Sequence, residues 1–218
     1  MITVSEVLKK IILGSPLLEE GISEGIINLS ALARNLQPKI EAQLMKPVSE
    51  SAILMALKRL SSKITVKENQ REKILKDIGD LTVRSNLCEF TFIKSETILE
   101  RQKQLLLQIE GQRDSFVTFT QGVFEITIIV NSDLAKTVEE IFKTEKIVSR
   151  IPDLSAITIR LSPQSVHTPG IHYSILKQLA WKNINVVEVV STFTEFTIIL
   201  EKDQVDLTFS ILMNFFSH

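Results

Sequence analysis

Pro169-Gly170 is the place in this chain where residue type and spacing could most directly hold a small ligand. The dipeptide follows a polar run containing Gln164, Ser165 and Thr168, and it opens an amphipathic stretch, Gly170 to Lys182, whose first apolar residue is Ile171. A glycine at a helix start lets a ligand or a neighbouring backbone approach closely. The first-turn amides, which find no acceptor within the helix, favour a carboxylate there. Gln164, Ser165 and Asn185, with main-chain carbonyls, supply acceptors for a donor group on the same ligand. Asn183 follows the helix and suits a left-handed C-terminal cap, since asparagine tolerates that conformation best after glycine. A purely structural account of the same residues stands beside this one: Pro-Gly makes a sharp strand-to-helix turn, and Asn185 caps an edge.

A second set of residues is cationic. Ser51, Lys58, Arg59 and Lys63 lie on or just beyond a helical stretch, Glu50 to Ser62, and its cations could pair with backbone phosphates of DNA. Glu50 would repel those phosphates, Leu54 offers only methyl contact, and three cations on one helix also make an ordinary solvated face.

Catalytic chemistry has no foothold. Gly14, Gly21, Gly25 and Gly79 are isolated rather than gathered in a phosphate-binding loop. His167, His172 and His218 make no metal-ligand spacing with one another or with Cys88. Glu19-Glu20 and Glu139-Glu140 fall on solvent faces, where nothing shifts a carboxyl pKa. The chain is expected to be no enzyme and to use no metal or cofactor. Cys88 is the single cysteine, so no internal disulfide forms, and its apolar strand predicts a buried structural thiol. A formal net charge of −1 gives no overall positive field to gather nucleic acid or anionic lipid. No apolar run approaches the roughly 20 residues a membrane span needs, and no signal-peptide core opens the chain. The expected location is the cytoplasm, with no membrane partner.

The elements that must position these residues are legible in a repeat. Phe116 to Asp133 (FVTFTQGVFEITIIVNSD) reads nearly position for position like Val186 to Asp203 (VVEVVSTFTEFTIILEKD). Each copy is an alternating strand, a polar tip and a second strand. Before each hairpin come a strand (Leu87 to Lys94; Ser155 to Leu161) and an amphipathic helix (Glu96 to Ile109; Gly170 to Lys182), and after it a second helix (Leu134 to Phe142; Gln204 to Phe215). The order is β-α-β-β-α with room for a final strand, which predicts an α+β fold of two ferredoxin-like βαββαβ repeats over 78–147 and 148–218. Ile126, Ile128 and Val130, with Phe196, Ile198 and Leu200, suggest more apolar surface than one helical layer covers, so a symmetric homodimer is expected.

Residues 1–66 are a different material, without strand-like alternation, and break into helical stretches at Ser5 to Leu13, Leu29 to Leu36, Lys39 to Leu44 and Glu50 to Ser62. Gly14-Ser15-Pro16, Pro38 and Pro47-Val48-Ser49 supply the stops and caps. Ile53, Ala56, Leu57, Leu60 and Ile64 form one buried stripe. A charged stretch within 67–77 predicts a connecting helix. Leu29 to Asn35 (LSALARN), Val48 to Ile53 and Ala56 to Leu60 resemble the scaffold and recognition helices of a winged-helix or helix-turn-helix module, which implies DNA as a candidate partner.

The second repeat carries a sharper resemblance. PDLSAITI at Pro152 to Ile159, Pro169-Gly170-Ile171, Leu179-Ala180, Asn183-Ile184-Asn185-Val186 and Ser191 resemble the regulatory ACT domains of aspartokinases. That resemblance implies a small regulatory domain that pairs with a second copy and binds an amino-acid effector, whose carboxylate and ammonium match the amides and acceptors named above. The first repeat departs from the pattern. Its loop, Lys94-Ser95-Glu96, is shorter and lacks Pro-Gly, and Glu96 would oppose a ligand carboxylate, so one effector per chain should sit in the second repeat. The chain lacks a kinase domain's phosphate site. It reads as an amino-acid-responsive regulator of transcription, as a regulatory subunit for an amino-acid biosynthetic enzyme, or as a ligand-free dimerisation scaffold.

Overall fold

The computed structural model describes residues 2–76, 78, 80–111 and 115–217, with side chains omitted for 66–72. The chain divides into two compact units, Met1–Ile74 and Leu75–His218.

The first unit is helical: α1 (Val4–Leu13), α2 (Pro16–Ser23), α3 (Leu29–Leu44) and α4 (Glu50–Lys76). Thr3 and Glu6 cap α1 reciprocally, Glu6 taking the Thr3 amide at 2.7 Å while Thr3 Oγ1 accepts the Glu6 amide at 3.3 Å. The segments expected on either side of Pro38 are one helix, for Pro38 sits inside α3. Its ring removes one ladder bond, and burial of Ala33, Leu36 and Ile40 at 0–7% exposure holds the two halves in line. Helix α2 is an addition to the sequence expectation, although Pro16 is well placed in its first turn. The expected stripe on α4 is buried at Ile53, Ala56, Leu57 and Ile64 and half-buried at Leu60. The stretch read as a separate connecting helix continues α4; Asp77 lies outside the described residues. Among the described residues this unit has no strand, so the wing of a winged-helix has no counterpart in it.

The second unit runs β1 (Leu81–Ile93), α5 (Ile98–Gln108), β2 (Val117–Gln121), β3 (Glu125–Asn131), α6 (Ala135–Ile141), β4 (Ile147–Arg160), α7 (Ile171–Ala180), β5 (Glu188–Ser191), β6 (Glu195–Glu201) and α8 (Val205–Ser217). The six strands form one antiparallel sheet in the order β2-β3-β1-β4-β6-β5. The two repeats expected as βαββαβ share their long strands. Each repeat is β-α-β-β-α, and its fourth strand position is filled by the other repeat. The first half of β1, Leu81 to Arg84, pairs with Ala156 to Ile159 and completes the second repeat; the first half of β4, Ile147 to Ile151, pairs with Glu89 to Phe92 and completes the first. Both long strands bend at their midpoints, where Asn86 (φ 62°) and Asp153 (φ 54°) take the left-handed conformation. Asn and Asp adopt it at lower cost than bulkier residues. Asn86 Nδ2 also donates to Asp133 Oδ1 at 3.0 Å, fixing that bend against the end of β3.

Alternation along the strands sets two faces. Phe90, Phe92, Ile126, Ile128 and Val130 are buried with Ile98, Leu105, Val138 and Phe142 from α5, α6 and the residue after it. The opposite face gathers Leu87, Ile129, Leu154, Ala156 and Ile199, with Phe116, Val187 and Val190 packed against them. That second face is covered because the sheet curls, which brings Glu188 on edge strand β5 close to Thr120 on edge strand β2 and to Glu89 on β1. The residues read as apolar surface in need of a dimer partner, Ile126, Ile128, Val130, Phe196, Ile198 and Leu200, are all buried within the chain, at 0–2% exposure, and the first three lie on the face that α5 and α6 cover. The dimer loses that support.

Candidate ligand-binding site

The two repeats meet their helices through the same local construction. In the second, the Leu161 amide donates to Thr194 O at 2.7 Å and the Thr192 amide to Glu195 O at 2.9 Å, tying the end of β4 to the β5–β6 hairpin tip. In the first, Lys94 donates to Phe124 O and Gly122 to Glu125 O, both at 2.8 Å. Beyond these ties the two chain paths into the helix diverge, and the divergence makes a site.

In the second repeat the chain passes through a 3-10 turn, Pro163–His167, before α7. Ser165 is buried there, its hydroxyl 3.3 Å from that of Ser162, and Thr168 Oγ1 donates to Gln164 O at 2.9 Å. Gly170 then takes φ 92° as the residue before α7, a conformation that a side chain would strain. Its carbonyl accepts both the Ser174 amide at 2.9 Å and the Ser174 hydroxyl at 3.0 Å. Beside this turn is a cleft of about 500 Å³, bounded by the loop, by the first turn of α7 and by Thr192 and Phe193 of the hairpin tip. Phe193 is 64% exposed at its mouth, while the His172 ring stacks on buried Phe196 with centroids 4.6 Å apart. No Asp, Glu, Lys or Arg lines the cleft, and hydroxyls, two imidazoles and backbone supply its polar surface. Such a lining suits a ligand without net charge that carries both donors and acceptors.

In the first repeat the corresponding helix start holds the chain's own carboxylate. Glu145, in the turn after α6, accepts from Ser95 Oγ and Thr97 Oγ1, each at 2.6 Å, and lies 3.8 Å from Arg101 Nε. Thr97 is the residue preceding α5, so this carboxylate sits at a helix N-terminus, where the backbone dipole favours negative charge. Burial of Glu145 opposes ionisation, but the two hydroxyls and the Arg101 guanidinium outweigh it and hold the carboxyl below its ordinary range. The Glu145 side chain is only 3% exposed. Glu96, expected to repel a carboxylate at this helix start, does not prevent one from docking.

Of the residues read from sequence as ligand contacts, Ser165, Thr168, Pro169, Gly170 and Ile171 line the cleft together. Gln164, Asn183 and Asn185 are exposed and lie outside its lining. Asn183 takes φ 57° after α7, the left-handed cap its residue type allows. Sequence reasoning missed Thr192 and Phe193, whose only signal was their place at a hairpin tip, and weighed His167 and His172 solely as metal ligands. Among the described residues no three His, Cys, Asp or Glu side chains gather to hold a metal, and His218 and Gly79 lie outside them. Ser51 and Lys58 are exposed on α4, whereas Arg59 and Lys63 line a separate cleft with α1. Cys88 is buried, and burial pushes its thiol up to about 11. No described helix is long and apolar enough to cross a membrane.

No protein-family model matches the sequence, and no curated protein matches it. Solved structures do. The regulatory subunit of aspartate kinase from Thermus thermophilus, in its ligand-free form, is similar at 14% identity and a TM-score of 0.52, covering 64% of this chain and 98% of that one. Aspartate kinase from Synechocystis is similar at 14% identity and a TM-score of 0.54, covering 64% of this chain and 27% of that one. Aspartokinase III from E. coli, in complex with aspartate and ADP, matches at 10% identity and a TM-score of 0.52 over 65% of this chain and 34% of that one. The chain thus spans about a third or less of those two complete kinases. At these identities the likeness is one of fold: a curled antiparallel sheet with flanking helices, of the kind that makes up aspartate kinase regulatory domains.

Proposed function

We propose that the protein is a non-catalytic regulator whose second repeat binds a free amino acid in the cleft at the start of α7. One observation carries this reading: the two repeats share their strand-to-hairpin ties, yet the helix start of the first is filled by Glu145 while that of the second opens on a cleft without net charge. An amino acid's carboxylate meets the first turn of α7 as Glu145 meets that of α5, and its ammonium finds acceptors in Thr168, Thr192 and nearby carbonyls. The likeness of fold to the regulatory subunit of aspartate kinase supports a non-catalytic regulatory role.

For the output, an enzyme of amino-acid metabolism is favoured over DNA. Ser51 and Lys58 share one face of α4, but Arg59 and Lys63 line the cleft against α1, so the four residues do not present one surface to a duplex. A second copy of the chain is the expected partner in the assembled regulator.

A thermal-shift screen of the full chain against the twenty amino acids tests the reading. A ligand at 100 times its Kd adds about 2.7 kcal/mol to the folded state. Gly170→Val and Phe193→Ala should each abolish the shift, the second without backbone strain. No shift with any amino acid at millimolar concentration removes the sensor reading, and retardation of genomic DNA fragments that is lost in Lys58→Ala would restore DNA as the output.

A further inference from the structure

The groove between α1 and α4 of the helical unit has a chemistry of its own. Ser5, Lys9 and Leu13 succeed one another at four-residue intervals along α1, so they share a face, and Arg59-Leu60 and Lys63-Ile64 recur at the same interval along α4. The two faces enclose a cleft of about 320 Å³. Its floor is apolar, with Ala56 and Ile64 buried and Leu60 half-buried, and its rim carries three exposed cations, Lys9, Arg59 and Lys63. No Asp or Glu lines it, and among the described residues no carboxylate pairs with any of the three. In a chain of net charge −1 that convergence does not arise from composition. Like charges one turn apart disfavour a helix slightly, and here nothing within the described unit offsets them.

We infer that this groove binds a small organic anion with an apolar body: a carboxylate or phosphate monoester whose head meets Lys9, Arg59 and Lys63 and whose chain lies over Ala56, Leu60 and Ile64. The volume falls near the lower end of the ~300–1,000 Å³ range of small-molecule sites. A duplex would use the rim but not the floor, since its phosphates present no apolar surface to a recess. An inorganic anion would likewise leave the floor unused. The site is separate from the amino-acid cleft and stands whether or not that cleft is occupied.

The test titrates the full chain with octanoate and with octyl phosphate, using octan-1-ol and inorganic phosphate as controls, and tracks amide and methyl NMR shifts. The expected result is 1:1 binding that moves Leu13, Leu60 and Ile64, weakens with added salt, and is at least tenfold tighter than either control. Lys9→Ala and Arg59→Gln, on different helices and both solvent-exposed, should each weaken it several-fold with unchanged circular dichroism. Binding of only one of the two anions supports the site and assigns its head group. Equal binding of octan-1-ol, unchanged affinity in both variants, or perturbation of these residues by duplex DNA or anionic vesicles but by neither soluble anion would overturn the inference.

Discussion

Replacing Glu145 by glutamine keeps the side chain's size and removes its charge, which makes it the sharpest probe of how the first repeat closes its helix start. The native carboxylate accepts two hydroxyl hydrogen bonds of 2.6 Å and faces Arg101, with only 3% of the side chain exposed. Hydrogen bonds to a charged group contribute about 1.5–3 kcal/mol net, and the amide retains one acceptor of the two, so Glu145→Gln should cost about 2 kcal/mol at pH 7. The assay is urea denaturation, read as a fall in midpoint at constant slope. Because the folded pKa is depressed, the carboxylate's stabilisation is fully present above the unfolded value of about 4.3 and is lost as pH falls through the folded value. Wild type and variant should therefore converge in acid. Glu145→Ala goes further by emptying the cradle, and formate should then restore stability that chloride at equal ionic strength does not. At ten times its Kd, formate returns about 1.4 kcal/mol. A Gln variant within about 0.3 kcal/mol of wild type at pH 7, which is inside normal context scatter, would refute the reasoning.

Three further residues give sharp expectations. Burial, and then the neighbouring Glu188, push the Glu89 carboxyl up to about 7. Since that folded pKa is raised, its contribution is fully present below the unfolded value and lost as pH rises through about 7, so Glu89→Gln should raise the melting temperature at pH 8 and change it little at pH 5; an equal effect at both would be inconsistent. The Cys88 thiol, raised to about 11 by burial, should stay unreactive to a disulfide reagent until denaturant is added, and immediate stoichiometric labelling of the native protein would contradict its placement. Asn183→Val places a β-branched residue at φ 57° and should destabilise by about 1–2 kcal/mol, whereas Asn183→Gly should be nearly neutral; calorimetric melting of both variants decides it.

The hairpins are legible in the sequence because strand alternation and the shared Glu-x-Thr-Ile-Ile run are local signals. The long strands are not. Leu81 to Arg84 alternates over only four residues and Ile147 to Ile151 does not alternate at all, and they become strands by pairing across the repeats, where each completes the other's sheet. The place for a final strand is visible in the residue order, but not that the other repeat fills it. Pro169-Gly170 announces the second-repeat turn through residue type. Glu145 announces nothing, since a single glutamate some fifty residues after Ser95 and Thr97 has no spacing rule that connects it to them. Thr192 and Phe193 reach the cleft only because Leu161 is tied to the hairpin tip. The curl that buries the second face brings together Glu188, Thr120 and Glu89, from three strands that are far apart in sequence. In the helical unit, Pro38 points to a break that tertiary burial of Leu36 and Ile40 overrides.

The most direct measurement is an amide NMR titration of the full chain with the amino acid that gives the largest thermal shift. The account predicts saturable shifts confined to the loop and first turn of α7, from Ser165 to Tyr173, and to Thr192 and Phe193, with Ser95, Thr97 and Arg101 unmoved. Shifts centred on Ser95 and Thr97, or saturable binding that leaves Gly170 and its neighbours unchanged, would contradict it.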